Sequence, residues 1–265
     1  MEYNTNNYNE ILKALDLPNY WENRLKSKVN KKSVHSLRML EHLGDNVSGT
    51  AIAQKLYSEN THIRKHAKSI FMKFSSHDSF KFLENDFDRD FNAFDEVRIH
   101  TSLVKRASTK PLPLLMRWVN VAKNDKYQAF LIYEIAFFKQ VESAADLLRL
   151  YKQTNSTVVK KAIVEALGDF AYRDAISVFI EEFSYVEQLI QNEIVIAFGK
   201  IGGIDALSFL EQLYYETENK ELLVNILSTI YLLDKSKVTY NKIKEQAITD
   251  FERQIIGIHP SKYIL

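Results

Sequence analysis

Apolar and small residues recur at i, i+4, i+7 and i+8 along most of the chain, the spacing of one buried face of an α-helix. Ile63, Ala67, Ile70 and Phe71 form one such set; Leu222, Ile226, Thr229 and Ile230 form another. The pattern also repeats at long range. "VKKAIVEALGDFAYRDAISVFIEEF" from Val159 aligns without a gap on "IQNEIVIAFGKIGGIDALSFLEQLY" from Ile190, an offset of 31 residues. Val159 falls on Ile190, Ile163 on Ile194, Ala166 on Ala197, Gly168 on Gly199 and Ala175 on Ala206.

The same frame extends outwards. Residues opening successive helices are His35, Ile63, Val97, Tyr127, Val159, Ile190 and Leu222, with spacings of 28, 34, 30, 32, 31 and 32. Gly44, Gly168 and Gly199 are expected just past the first helix of each unit, as left-handed C-caps. Asp174 and Asp205 are expected to N-cap the second. The unit is thus a helical hairpin of about 31 residues used roughly seven times, over residues 33–248. One hairpin cannot bury its apolar face alone, but stacked hairpins can. The fold class expected is an all-α solenoid, a superhelix of about fourteen to seventeen helices with no strands. Residues 1–32, with Pro18, Tyr20 and Trp21, read as capping helices, and residues 249–265 as a C-terminal cap or tail broken at Gly257 and Pro260. The small residues Ala67, Ala166 and Ala197 mark close helix contacts.

This pattern resembles the HEAT-repeat family, an armadillo-like helical class, and most of all the short-unit bacterial repeats of phycobilin-lyase-like proteins. The residues that carry the resemblance are the recurring Ala67, Ala166 and Ala197, the glycine after the first helix, and the "DA[IL]SxF" segments at Asp174 and Asp205. The shared residues are packing residues, so the resemblance speaks for architecture; the repeat itself, with no catalytic motif beside it, leads to the expectation of a non-enzymatic scaffold that binds another protein along its concave face. It leaves two alternatives: a nucleic-acid-binding protein of the DNA alkylation repair type, or a lyase-like subunit handling a chromophore. Some similar proteins are membrane-anchored by a segment that this chain lacks, so the place expected is the cytoplasm, with membrane association through such a segment as a variant.

Composition supports helices. Only seven glycines and four prolines punctuate 265 residues, too few for the turns of a sheet protein of this length. With 46% hydrophobic and 26% charged residues the chain reads as a folded, soluble protein. It has no cysteine, hence neither disulfides nor thiol chemistry, and no apolar run of membrane-spanning length. No GxSxG, P-loop, HExxH or cysteine nucleophile is present, so no catalytic residue, metal or cofactor is assigned.

Charge adds a functional clue. Residues 21–74 hold eleven Lys or Arg against four Asp or Glu, while residues 174–221 hold two against ten; the net charge of +1 hides this segregation. Arg24, Lys26, Lys28, Lys31 and Lys32 form a cluster suited to an acidic partner or an anionic membrane surface. Nucleic acid is disfavoured, because Glu181, Glu182, Glu211 and Gln212 on the C-terminal second helices repel phosphate.

Three further places could carry chemistry. "NDFDRDFNAFDEVRIH", residues 85–100, sets Asp86, Asp88 and Asp90 at the spacing of a calcium loop's first ligands. Phe91 and Val97, however, stand where that loop needs glycine and a bidentate glutamate. The stretch reads as a connector and contact surface, with Phe87, Phe91 and Phe94 pinned to the core and the aspartates in water. His62 and His66 have a zinc-compatible i, i+4 spacing but no third ligand, and with Arg64, Lys65 and Lys68 they read as a solvated cationic face. His35 and His42 are placed on the buried stripe. Arg117 and Trp118 are partner-binding candidates, with packing favoured for the tryptophan.

Overall fold

The computed structural model describes residues 5–44, 49–75, 78–247, 249, 251, 253 and 254. Among them are fifteen α-helices and no strand. The segment 255–265, with Gly257 and Pro260, lies outside the described residues. The chain divides into two compact units, Met1–Pro113 with Val121–Asn124, and Leu114–Asn120 with Asp125–Leu265.

Unit 1 contains α1 (Thr5–Ala14), α2 (Leu17–Leu25), α3 (Asn30–Leu43), α4 (Gly49–Ala53), α5 (Thr61–Phe74) and α6 (Ala93–Ala107). Pro18 sits in the first turn of α2, where its missing N–H costs nothing. Helix α3 packs between α2 and α5, and α5 packs on α4 and α6. Unit 2 contains α7 (Met116–Val119), α8 (Asp125–Phe137), α9 (Ala144–Gln153), α10 (Thr157–Asp169), α11 (Ala175–Glu182), α12 (Gln188–Ile201), α13 (Ile204–Glu216), α14 (Lys220–Leu233) and α15 (Val238–Glu245). Here α8 packs on α10, α10 on α12 and α12 on α14; α9 flanks α10, α11 touches α12 and α13, and α13 flanks α14.

The periodic stripe is the core. Ile63, Tyr127, Val159, Ile190 and Leu222 are buried as expected, but Val97 and His35 are exposed, as is His42. In α3 and α6 the buried face starts two residues earlier, at Ser33 and Asp95. With those two as openings the spacings become 30, 32, 32, 32, 31 and 32, more regular than the apolar pattern alone suggests. The residues four further on, Leu37, Ala67, Ile99, Leu131, Ile163, Ile194 and Ile226, are then all 0% exposed.

Polar openings are tolerated because each is satisfied, as a buried polar group must be. The Ser33 hydroxyl donates to the Ser27 carbonyl at 3.1 Å, and Asp95 holds an ion pair. Caps are supplied by asparagine instead of aspartate: Asn60 Oδ1 accepts from Ile63 N and Asn219 Oδ1 from Leu222 N, both at 3.1 Å. Asp174 makes no side-chain cap, and Asp205 lies inside the first turn of α13.

Of the three glycines, only Gly44 is a C-cap with positive φ. Gly168 and Gly199 lie inside α10 and α12, where they let neighbouring helices approach. A Cβ on Gly168 would stand 3.2 Å from both Cα and Cβ of Ala197, and one on Gly199 would stand 3.3 Å from Thr229 Cγ2. Ala67, Ala166 and Ala197 are buried, as the stripe requires. Ala197→Leu forces extra methylenes against Gly168 and should cost about 1–3 kcal/mol. A thermal melt matching that of the intact chain would contradict this packing.

Candidate functional site

The stretch 85–100 is a connector, but not a wet one. A short 3-10 turn, Lys81–Asn85, ends in Asp86 and Phe87, both with positive φ (51° and 61°). Asparate tolerates that region; phenylalanine does so only when its surroundings hold it there. Phe87 is fully buried, and its carbonyl accepts from Lys68 Nζ at 2.6 Å. The kink aims Asp88 at α5. Arg64 grips Asp88 through Nε and Nη2, both at 2.8 Å, and Lys68 Nζ joins at 2.8 Å. Burial alone would raise the Asp88 pKa, but the hydrogen bonds and charges of Arg64 and Lys68 outweigh it and hold the carboxyl well below its usual range. Asp86 Oδ1 accepts from the backbone N–H of Lys123 at 3.0 Å, and Asp90 is exposed.

The next turn carries a second buried pair. Lys65 Nζ meets Asp95 Oδ2 at 2.6 Å, with both side chains nearly inaccessible, and also donates to the Asp90 carbonyl. Arg98 Nη1 reaches the other Asp95 oxygen at 3.1 Å, and Asn92 and Asp95 close a capping box on α6. Asp88 and Asp95 therefore staple the connector to α5. Phe94, expected to pin it, is 78% exposed, and Phe91 is half-buried.

The expected cationic solvated face of α5 is likewise absent. Lys65 and His66 are buried, while Arg64 and Lys68 are half-buried and ion-paired. His66 Nε2 lies 2.9 Å from Glu41 Oε2, and Lys73 binds the other Glu41 oxygen. The hydrogen bond to His66 leads in lowering the Glu41 pKa to about 2, with Lys73 assisting against burial. His62 is exposed, and no group of three His, Asp or Glu able to hold a metal occurs among the described residues.

Arg64, Lys68, Lys81, Arg89, Phe82 and Phe87 contribute to an open cleft of about 760 Å³ in unit 1. Its cations are largely committed. Arg64 and Lys68 belong to Asp88, and Lys81 Nζ lies over the rings of Phe71 and Phe82 at 4.7 and 5.0 Å. This cleft is the seam of the staple.

Unit 2 holds a different opening of about 700 Å³, between α11 and the first turn of α13. Ile176, Ile180 and Ile204 supply apolar surface, and Asp174, Glu181 and Asp205 stand around it, with Arg173 as the one cation of the lining among the described residues. Ile204 is 72% exposed. Gly202 and Gly203, both at positive φ, make the turn, and a Cβ on Gly203 would stand 3.2 Å from Ile176 Cδ1. The absence of a side chain there keeps the cleft open. Asp174 interacts with the Tyr172 hydroxyl, but neither it, Glu181 nor Asp205 has a cation partner among the described residues. By contrast Glu182 pairs with Lys160 at 3.4 Å and Glu211 with Lys242 at 2.6 Å, so two of the four residues expected to repel phosphate are partly neutralised.

The remaining candidates separate. Trp118 is buried and Arg117 is exposed, with its guanidinium 5.6 Å from the indole centroid. Lys26, Lys28, Lys31 and Lys32 are all exposed, without a carboxylate partner among the described residues. Among the described residues no helix is long and apolar enough to cross a membrane. No family model matches the chain, and no curated protein matches it.

Proposed function

We propose that the chain is a non-enzymatic helical-repeat adaptor of HEAT-like architecture that binds another protein. The observation that carries this reading is the α11–α13 cleft: the exposed Ile204 beside Ile176 and Ile180, with three carboxylates around it that have no cation partner among the described residues. Interaction surfaces combine an apolar centre with a polar rim, and complementary charge selects the partner. The partner segment that fits presents an apolar side chain flanked by lysine or arginine. The 31-residue recurrence of the sequence and the side-by-side packing of α8, α10, α12 and α14 support the repeat reading. The buried carboxylates elsewhere support a structural role for the acidic connector, because their charges are spent on lysine and arginine.

The nucleic-acid and chromophore alternatives gain no specific observation. The test is affinity capture from a native lysate with the intact chain and with an Ile204→Glu, Asp174→Lys, Asp205→Lys variant. The three side chains are exposed, so the fold should survive. A protein retained by the intact chain and lost at least tenfold with the variant is the expected result. Equal capture by both would remove the cleft from the account.

A further inference from the structure

Helix α1 buries Leu12 and leaves Tyr8, Ile11 and, just past its end, Leu15 exposed at 44, 56 and 62%. Their i, i+3, i+7 spacing puts them on one stripe, and the Leu15 N–H still donates to the Ile11 carbonyl, so the turn continues through it. Helix α1 packs on α2, and α2 on α3. Tyr20 on α2 is also exposed; its ring lies edge-on to Trp21 at 4.9 Å, and its hydroxyl accepts from Arg24 Nη1 at 3.2 Å. Beyond Arg24 come the exposed cations Lys26, Lys28, Lys31 and Lys32, with Val29 exposed among them.

We infer that this α1–α3 surface of unit 1 docks on an anionic lipid bilayer. Two independent observations within α1–α3 carry this: an exposed apolar helix stripe, and a run of exposed cations without carboxylate partners among the described residues. A bilayer supplies what both require, with anionic head groups at its surface and acyl chains a few ångströms below. Neither signal alone gives stable attachment, since an apolar anchor of this size is marginal and surface charge is screened by salt; together they suffice. Tyr20, with a polar tip beside Arg24, suits the interface between the two layers. An acidic protein surface with an apolar centre would meet the same two features, and vesicle binding by the chain alone separates it from a bilayer. The inference is independent of the protein-binding cleft in unit 2.

The experiment is vesicle co-sedimentation of the whole chain with phosphatidylcholine alone and with phosphatidylcholine plus phosphatidylserine, at low and high salt. The intact chain should bind the phosphatidylserine vesicles at low salt, bind less at high salt, and ignore phosphatidylcholine. Changing Lys26, Lys28, Lys31 and Lys32 to glutamine should weaken binding by on the order of 10²-fold or more, at roughly fivefold per charge. Ile11→Ser with Leu15→Ser should weaken it about tenfold while the salt dependence remains, because the apolar contribution is removed and the charges stay. Circular dichroism of each variant checks that the helices persist. The inference is overturned if the intact chain does not bind at low salt, or if either variant binds as the intact chain does. It is equally overturned if the serine changes convert a self-associated form to monomer without altering vesicle binding, which would make the stripe a contact between copies.

Discussion

Asp95→Ala should destabilise unit 1 by about 3–5 kcal/mol, because it leaves the Lys65 ammonium buried without its carboxylate. The pair is closed at 2.6 Å, with 4 and 0% side-chain exposure, so water cannot replace the lost oxygen without opening α5 and α6. The same change removes the reciprocal half of the Asn92 capping box and the Arg98 contact. Replacing both partners, with Lys65→Met and Asp95→Leu, should recover most of the loss, since an apolar pair of similar volume carries no desolvation penalty. Hydrogen exchange of peptides from α5 and α6 reads the effect within unit 1. Protection in Asp95→Ala within about 1 kcal/mol of the intact chain would mean that the pair is not the staple described.

Acid should unfold unit 1 through Glu41 and Asp88. Both carboxyls have folded pKa values held below their ordinary ones, Glu41 at about 2. A group of this kind contributes stability that is complete above its unfolded pKa and is lost as pH falls through the folded one. The loss should therefore begin near pH 4 and continue to about pH 2 for Glu41, and lower still for Asp88. For Glu41 the contribution reaches up to about 3 kcal/mol. Glu41→Gln should lower stability at neutral pH and flatten the slope between pH 4 and 2. Urea unfolding across that range measures the slope, and an unchanged slope in the variant would contradict the assignment.

The helical stripe was legible where its positions are apolar. In α10, α12 and α14 the opening residue and the residues four and eight further on are all aliphatic or aromatic, and their burial follows from spacing alone. In α3 and α6 the opening position is Ser33 or Asp95, and an apolar search slides to His35 and Val97 instead. Gly168 and Gly199 look like caps in sequence, because a glycine that ends a helix and one that admits a neighbouring helix are the same letter. The charges of α5 looked solvated because their partners are distant in the chain. Lys65 and Asp95 are 30 residues apart. The signal that could have found such pairs is opposite charge about thirty residues away, as in Asp169 with Lys200 and Glu211 with Lys242, each 31 apart. The α11–α13 cleft was not visible at all. Asp174 and Asp205 were read as helix caps, Ile204 carried no signal, and only the turn at Gly202 and Gly203 brings them to one opening.

The binding claim is tested most directly by hydrogen–deuterium exchange of the chain with and without its captured protein partner. Binding at the cleft predicts new protection in peptides covering α11 and the first turn of α13, around residues 173–181 and 203–205, that disappears with Ile204→Glu. Protection confined to unit 1, or a complex that leaves both segments exchanging as in the free chain, would contradict it.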